Sequence, residues 1–122
     1  MTSPDFTKSV IALACWNAAK GELHPIMLSV CQVFSNRAKA EEKEVYEVAS
    51  WWLVEHPPEF PDEREPQFQQ LLAKLDNVLD GLVPDRTDGA LWFVSKDKLQ
   101  PDTLKAFIIT YQIGQFYFVR GK

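Results

Sequence analysis

The chain predicts an α+β domain in which four or so helices precede a small antiparallel sheet. Apolar residues recur at helical spacing up to about residue 80, and the character of the sequence changes after Pro84. β-favouring runs then flank Gly114-Gln115, a pair suited to a tight hairpin turn. With 122 residues the whole chain, 1–122, reads as a single domain large enough to bury a core without metal or disulfide staples. A composition of 46% hydrophobic and 25% charged residues, with no low-complexity tract, is that of an ordinary folded protein.

The elements follow in order. Ser3-Pro4-Asp5 combines a capping hydroxyl, a first-turn proline and an early acid, and starts the first helix. Phe6, Val10, Leu13 and Asn17 follow at helical spacing with Ile11 and Ala14 beside them, and Gly21 is the stop. A second helix opens at Pro25 and runs to about Ala40, with Ile26, Val30, Val33 and Phe34 on its inner face. The charged residues 40–44 make a solvated turn or helix end. Val45, Val48, Ala49 and Trp52 form a third helix, which must end before Pro57-Pro58 because proline drives its predecessor out of helical backbone.

Residues 56–66 hold four prolines among mixed charges and read as an extended surface loop. The fourth helix starts at Pro66. Its stripe of Phe68, Leu71, Leu72, Leu75, Val78 and Leu79 is the clearest amphipathic pattern in the chain, and Gly81 and Pro84 close it. Ala90-Leu91-Trp92-Phe93-Val94 is then a short strand, and residues 106–113 and 115–119 pair through a type II′ turn at Gly114-Gln115.

Charge and cysteine usage narrow the partners. A net charge of −4 argues against nucleic acid, whose phosphates need clustered Lys and Arg, but leaves a sugar polymer open. The apolar run 10–14 is too short to span a membrane. Asp5 and Lys20 make the same region a poor signal peptide. Cys15 and Cys31 are too few for a disulfide framework and lack zinc-site spacing. Buried free thiols are the plainer reading, and a bridge stays open if their helices pack together. His24 and His56 belong to no ligand constellation, so no metal is expected.

Four features could carry chemistry. They are Ala19-Lys20-Gly21-Glu22 at a helix end, Asn36-Arg37 at the end of the next helix, the turn from Pro84 to Ala90, and Ile113-Gly114-Gln115-Phe116-Tyr117. Singly, each has a structural explanation: a solvated acid, a polar helix end, ordinary turn residues and half-buried strand filler. In this order they resemble the cell-wall hydrolases of the spore-cortex-lytic (SleB-like) type. That family joins A-x-G-E to a helix of the form V-x-x-V-x-x-N-R. It continues through a D-x-T-x-G-A turn into an aromatic strand, and closes with I-G-x-H-x-F-Y. Here Ala19, Gly21 and Glu22 match the first element, and Val30, Val33, Asn36 and Arg37 the second. Asp85, Thr87, Gly89 and Ala90 match the third, with Trp92 and Phe93 after them, and Ile113, Gly114, Phe116 and Tyr117 the last. The chain departs from the family twice. The terminal His is missing, with Gln115 beside its place, and the Pro-rich loop around Glu59-Phe60-Pro61 replaces the family's middle segment.

The resemblance implies a lysozyme-like fold, peptidoglycan as substrate, no cofactor, a monomer, and Glu22 as the catalytic acid. Asn36, Asp85, Thr87, Gly89, Ala90, Trp92 and Tyr117 would be its substrate-binding residues. Cleaving a glycosidic bond needs a proton on the leaving oxygen and support for an oxocarbenium-like sugar. A carboxyl in a partly apolar pocket can supply the proton, and Trp16 and Trp92 are candidates for its wall. Asp85 or Asp88 could be a second carboxylate, or could simply cap the turn. The family's similarity to lytic transglycosylases, which work with one acid and the sugar's own groups, favours single-acid chemistry with Thr87 in support. Hydrolase and transglycosylase both stay open. With no export signal expected, such an enzyme would reach the wall through a phage lysis system, a virion or a longer precursor. Two rivals remain: a catalytically inactive relative acting as a wall-binding or phage structural part, and an unrelated interaction domain using Trp51, Trp52 and the Pro-rich loop.

Overall fold

The computed structural model describes residues 4–62, 64–98 and 101–121, so the capping role expected of Ser3 lies outside the described residues. The chain is α+β. Helices α1 (Pro4–Ala18), α2 (His24–Glu41), α3 (Val45–Glu55) and α4 (Pro66–Leu79) come first. Strands β1 (Trp92–Ser95), β2 (Phe107–Ile113) and β3 (Phe116–Gly121) follow. Between β1 and β2 lie a 3-10 turn, Lys96–Lys98, and a short helix, α5 (Pro101–Ala106), that the sequence pattern did not announce. Helix α5 takes up Ala106, so β2 begins one residue later than the β-favouring run. None of the helices among the described residues is long and apolar enough to cross a membrane.

Local chemistry accounts for the boundaries. Gly21 ends the first turn region with φ +84°. Pro25 sits in the first turn of α2, where its missing N–H costs nothing. Glu65 caps α4 by accepting from the Phe68 amide at 2.6 Å, with Pro66 beside it. Gly81, at φ +74°, closes α4 with paired amide bonds from Gly81 to the Val78 carbonyl and from Leu82 to the Asn77 carbonyl.

Helix α2 is the centre. Ile26, Met27, Val30, Cys31, Val33, Phe34 and Ala38 are all buried on it, as are Ser29, Gln32 and Ser35, so it is covered on most of its circumference. It packs against α1, α3, α4 and β1. On α1 and in the turn just after it the fully buried residues are small, namely Ala12, Ala14, Cys15 and Ala19, which lets neighbouring backbones approach. The stripe of Phe6, Val10 and Leu13 lies on a more exposed side of α1, where it forms an apolar groove with Phe60, Pro61 and Phe68. The Pro-rich loop is tied back to α1 beside this groove. Asn17 donates to the Glu59 carbonyl at 3.0 Å and accepts from the Glu59 amide at 2.8 Å, while Lys20 pairs with the Glu59 carboxylate.

The sheet has the order β1-β3-β2, and both pairings are antiparallel. Gly114 takes φ +57° while Gln115 stays outside the positive region, as a type II′ turn requires. Phe93 opposes Phe118, and Ser95 opposes Phe116. This face packs on the helices through the edge-on contact of Phe93 with Phe34 of α2, and Phe93 is also edge-on to Phe116 within the sheet, each pair with centroids 5.9 Å apart. The β2–β3 register slips between Ile109 and Tyr111, leaving Thr110 as a bulge. The Thr110 hydroxyl bonds the Thr87 and Phe118 carbonyls and so pins the turn before β1 to the sheet.

Candidate active site

Glu22 stands where α1 gives way to α2. After the last turn of α1 the chain reverses through Gly21, and the Glu22 amide bonds the Ala19 carbonyl at 2.9 Å. The Glu22 carbonyl accepts from the Gln67 side chain at 3.0 Å, so the first turn of α4 also holds this segment. The side chain is half-buried against the β2–β3 hairpin. A β-carbon built on Gly114 would lie 3.0 Å from Glu22 Oε2 and 2.6 Å from Ile26 Cδ1. Any larger residue there would make the ends of the Ile26 and Glu22 side chains shift. Among the described residues, no side chain or amide hydrogen-bonds the Glu22 carboxylate.

The expected D-x-T-x-G-A element forms a closed polar clasp. The Asp85 carboxylate accepts four hydrogen bonds, from the Thr87 amide (2.8 Å), the Thr87 hydroxyl (2.6 Å), the Gly89 amide (2.9 Å) and Asn36 Nδ2 (3.0 Å). Burial pushes this carboxyl up, but the bonds from Thr87, Gly89 and Asn36 outweigh it and hold the group below its ordinary range. Asn36 Nδ2 also donates to the Ala90 carbonyl at 3.0 Å and approaches the Thr87 hydroxyl at 3.4 Å, while its Oδ1 accepts from Gln32. Thr87 and Ala90 are fully buried. The structure thus brings together five expected site residues, Asn36, Asp85, Thr87, Gly89 and Ala90, and spends their polar groups on one another. Asp88 takes φ +54° within the same turn and stays exposed. No hydrogen bond joins the clasp to Glu22.

The other expected residues sit elsewhere. Trp16 is buried edge-on to Phe68 with Lys20 over its ring, and its indole N–H has no hydrogen-bond partner among the described residues. Trp92 packs edge-on to Phe107, and Tyr117 lies under Lys96. Tyr117 alternates with Phe116 and Phe118 along β3, so it faces away from the helical side. Of the two histidines, His24 is the first residue of α2 and lines a small cavity of about 190 Å³ with Lys74 and Arg86. Burial, and then the charge of Lys74, push its imidazole down. Among the described residues no three His, Cys, Asp or Glu side chains gather in a way that could hold a metal ion.

A groove of about 440 Å³ lies at edge strand β1, lined by residues 91–95 together with Trp52, Glu55 and His56 of the α3 end. The His56 ring stacks on Trp52 with centroids 4.3 Å apart and planes 14° from parallel. Arg37 and Lys98 add polar groups to the lining, and Val33, Ala18 and Phe116 complete it. Those last two belong to the segments that hold Glu22, one turn before it on the chain and two residues beyond Gly114. Glu22 itself is not among the residues lining this groove.

Sequence reasoning missed the supports of the site. Asn17 carried a usable signal, as a polar residue within the Phe6-Val10-Leu13 stripe. Gln67, in the first turn of an amphipathic helix, carried none. Compared with family models, with characterised proteins and with solved structures, the chain matches none of them.

Proposed function

We propose that this domain is a lysozyme-like enzyme that cleaves the glycan strands of peptidoglycan, with Glu22 as the proton donor to the glycosidic oxygen. The observation that carries the reading is the state of the Glu22 carboxylate. It is half-buried, without a hydrogen-bond partner among the described residues, and pressed against a hairpin tip whose glycine leaves room for it. A carboxyl with no structural bond to satisfy is available to a substrate oxygen. The neighbouring groove supports a sugar ligand, since aromatic faces suit the apolar side of a pyranose and the polar groups in its lining suit hydroxyls.

The same geometry supports single-acid chemistry. A second carboxylate acting as nucleophile or base must be free to reach the sugar or a water. Asp85 already accepts four hydrogen bonds, so its part is to shape the turn. The sugar's own N-acetyl and hydroxyl groups then complete the reaction.

One observation favours the second reading, a non-catalytic wall-binding or virion part of the same fold: Glu22 does not line the groove. The deciding experiment is clearing of purified peptidoglycan by wild type and by Glu22→Gln, with released fragments analysed by mass. Clearing by wild type alone supports the enzyme, and an anhydro or a reducing end separates transglycosylase from hydrolase. Folded wild type that binds wall but never clears it favours the second reading. Equal clearing by both proteins rejects Glu22.

A further inference from the structure

Cys15 and Cys31 are each fully buried and face one another across the α1–α2 contact, their sulfurs 2.6 Å apart. Each sulfur has the other as its side-chain partner. Apolar core surrounds them, with Ile11, Ala12, Ala14, Met27 and Val30 all buried in the same cluster. The two cysteines come from separate helices, so the juxtaposition is set by how α1 packs on α2. We propose that Cys15 and Cys31 are joined by a disulfide when the domain folds in an oxidising compartment.

The bridge closes the stretch of chain that contains Glu22, fastening the last turns of α1 to the early turns of α2. It acts mainly by limiting the unfolded chain, and it also holds the α1–α2 turn from both sides. The chemistry is thiol–disulfide exchange with a disulfide oxidant, such as oxidised glutathione or a dithiol oxidoreductase. One cysteine thiolate attacks an oxidant sulfur and releases the first thiol. The second cysteine attacks the mixed disulfide and releases the other. The protein loses two protons and two electrons, and one oxidant disulfide becomes two thiols. Because the native core seals both sulfurs, exchange takes place while the chain folds. Such bonds persist in oxidising compartments, where wall-acting proteins work. The inference nonetheless rests on the helix packing and is independent of the proposed activity.

The test is an intact mass of protein refolded in a mixture of reduced and oxidised glutathione, then denatured with iodoacetamide and no reductant. The expected result is no alkylation, with a mass lower by two hydrogens, and two alkylated cysteines once a phosphine reductant is added. Melting should fall on reduction, on the order of 10 °C for a loop of this length. A Cys15→Ala, Cys31→Ala double variant should melt at the same temperature with and without reductant. Folded wild type that takes two alkyl groups before any reductant is added overturns the proposal, whatever the variant does.

Discussion

Gly114 and Glu22 are fitted to each other: a single added carbon on the glycine would come within 3.0 Å of a Glu22 carboxylate oxygen. The same carbon would overlap Ile26 at 2.6 Å, so the hairpin tip, the start of α2 and the candidate acid meet at one backbone position. Gly114→Ala carries two penalties, a left-handed backbone at φ +57° and a steric overlap. It should cost about 2–4 kcal/mol in urea unfolding. Gly21→Ala shares only the backbone penalty, because open space surrounds its β-carbon position, and should cost about 1 kcal/mol. Equal losses at the two sites would show that the fit to Glu22 and Ile26 has no energetic weight.

Asn36 joins α2 to a turn that begins 49 residues later in the chain. Asn36→Ala leaves the Ala90 carbonyl and Asp85 each short of a donor, and should destabilise by about 2–3 kcal/mol. Asn36→Asp should be worse, since it sets a second carboxylate against Asp85. Urea midpoints of the two variants check the order. A loss confined to glycan binding, with stability unchanged, would instead make this clasp a substrate site.

Two groups give the stability a pH signature. The Asp85 carboxyl is held below its ordinary 3.8, so its contribution is present above that value and is lost as pH falls through the lower folded value. His24 is pushed below 6.5, so the unfolded chain binds its proton first, and stability falls as pH drops from 6.5 towards the folded value. Asp85→Asn should flatten the acid limb alone. His24→Gln should flatten the limb just below 6.5 alone. Thermal melts across this range decide it, and two variants with wild-type profiles would remove both groups from the account.

The Pro-rich loop hangs on Asn17. Its side chain bonds both backbone groups of Glu59, whereas the Lys20–Glu59 ion pair is exposed. Asn17→Ala should therefore release the loop, with the Glu59 amide losing protection in hydrogen exchange. Lys20→Ala should change little, as expected of an exposed ion pair. A Glu59 amide that exchanges fast in wild type would mean that Asn17 is not the tether.

The helices were legible because their ends carry local chemistry. Pro25, Pro66, Gly21 and Gly81 mark boundaries that need no tertiary information. The final hairpin was legible from Gly114 for the same reason. Helix α5 was not, because six residues hold too little periodicity to separate a helix from a turn. Phe6, Val10 and Leu13 show where periodicity alone stops. They do share one side of α1, but that side meets a loop, and the tightest packing went to the small residues Ala12, Ala14 and Ala19. The turn at Asp85 could be read locally, whereas its bond to Asn36 could not, since nothing near either residue points to the other.

The bulge at Thr110 bears on how this molecule behaves when crowded. Strand β2 is an outer strand and presents Ile108 and Ile109 to solvent, a combination that invites a neighbouring molecule to add its own strand. The extra residue falls immediately after these two isoleucines and breaks the even spacing that a stacking strand would have to match. With its hydroxyl tied to the Thr87 and Phe118 carbonyls, Thr110 keeps that irregularity in place. A single misfit residue thus makes the β2 flank of the sheet a poor template for self-assembly.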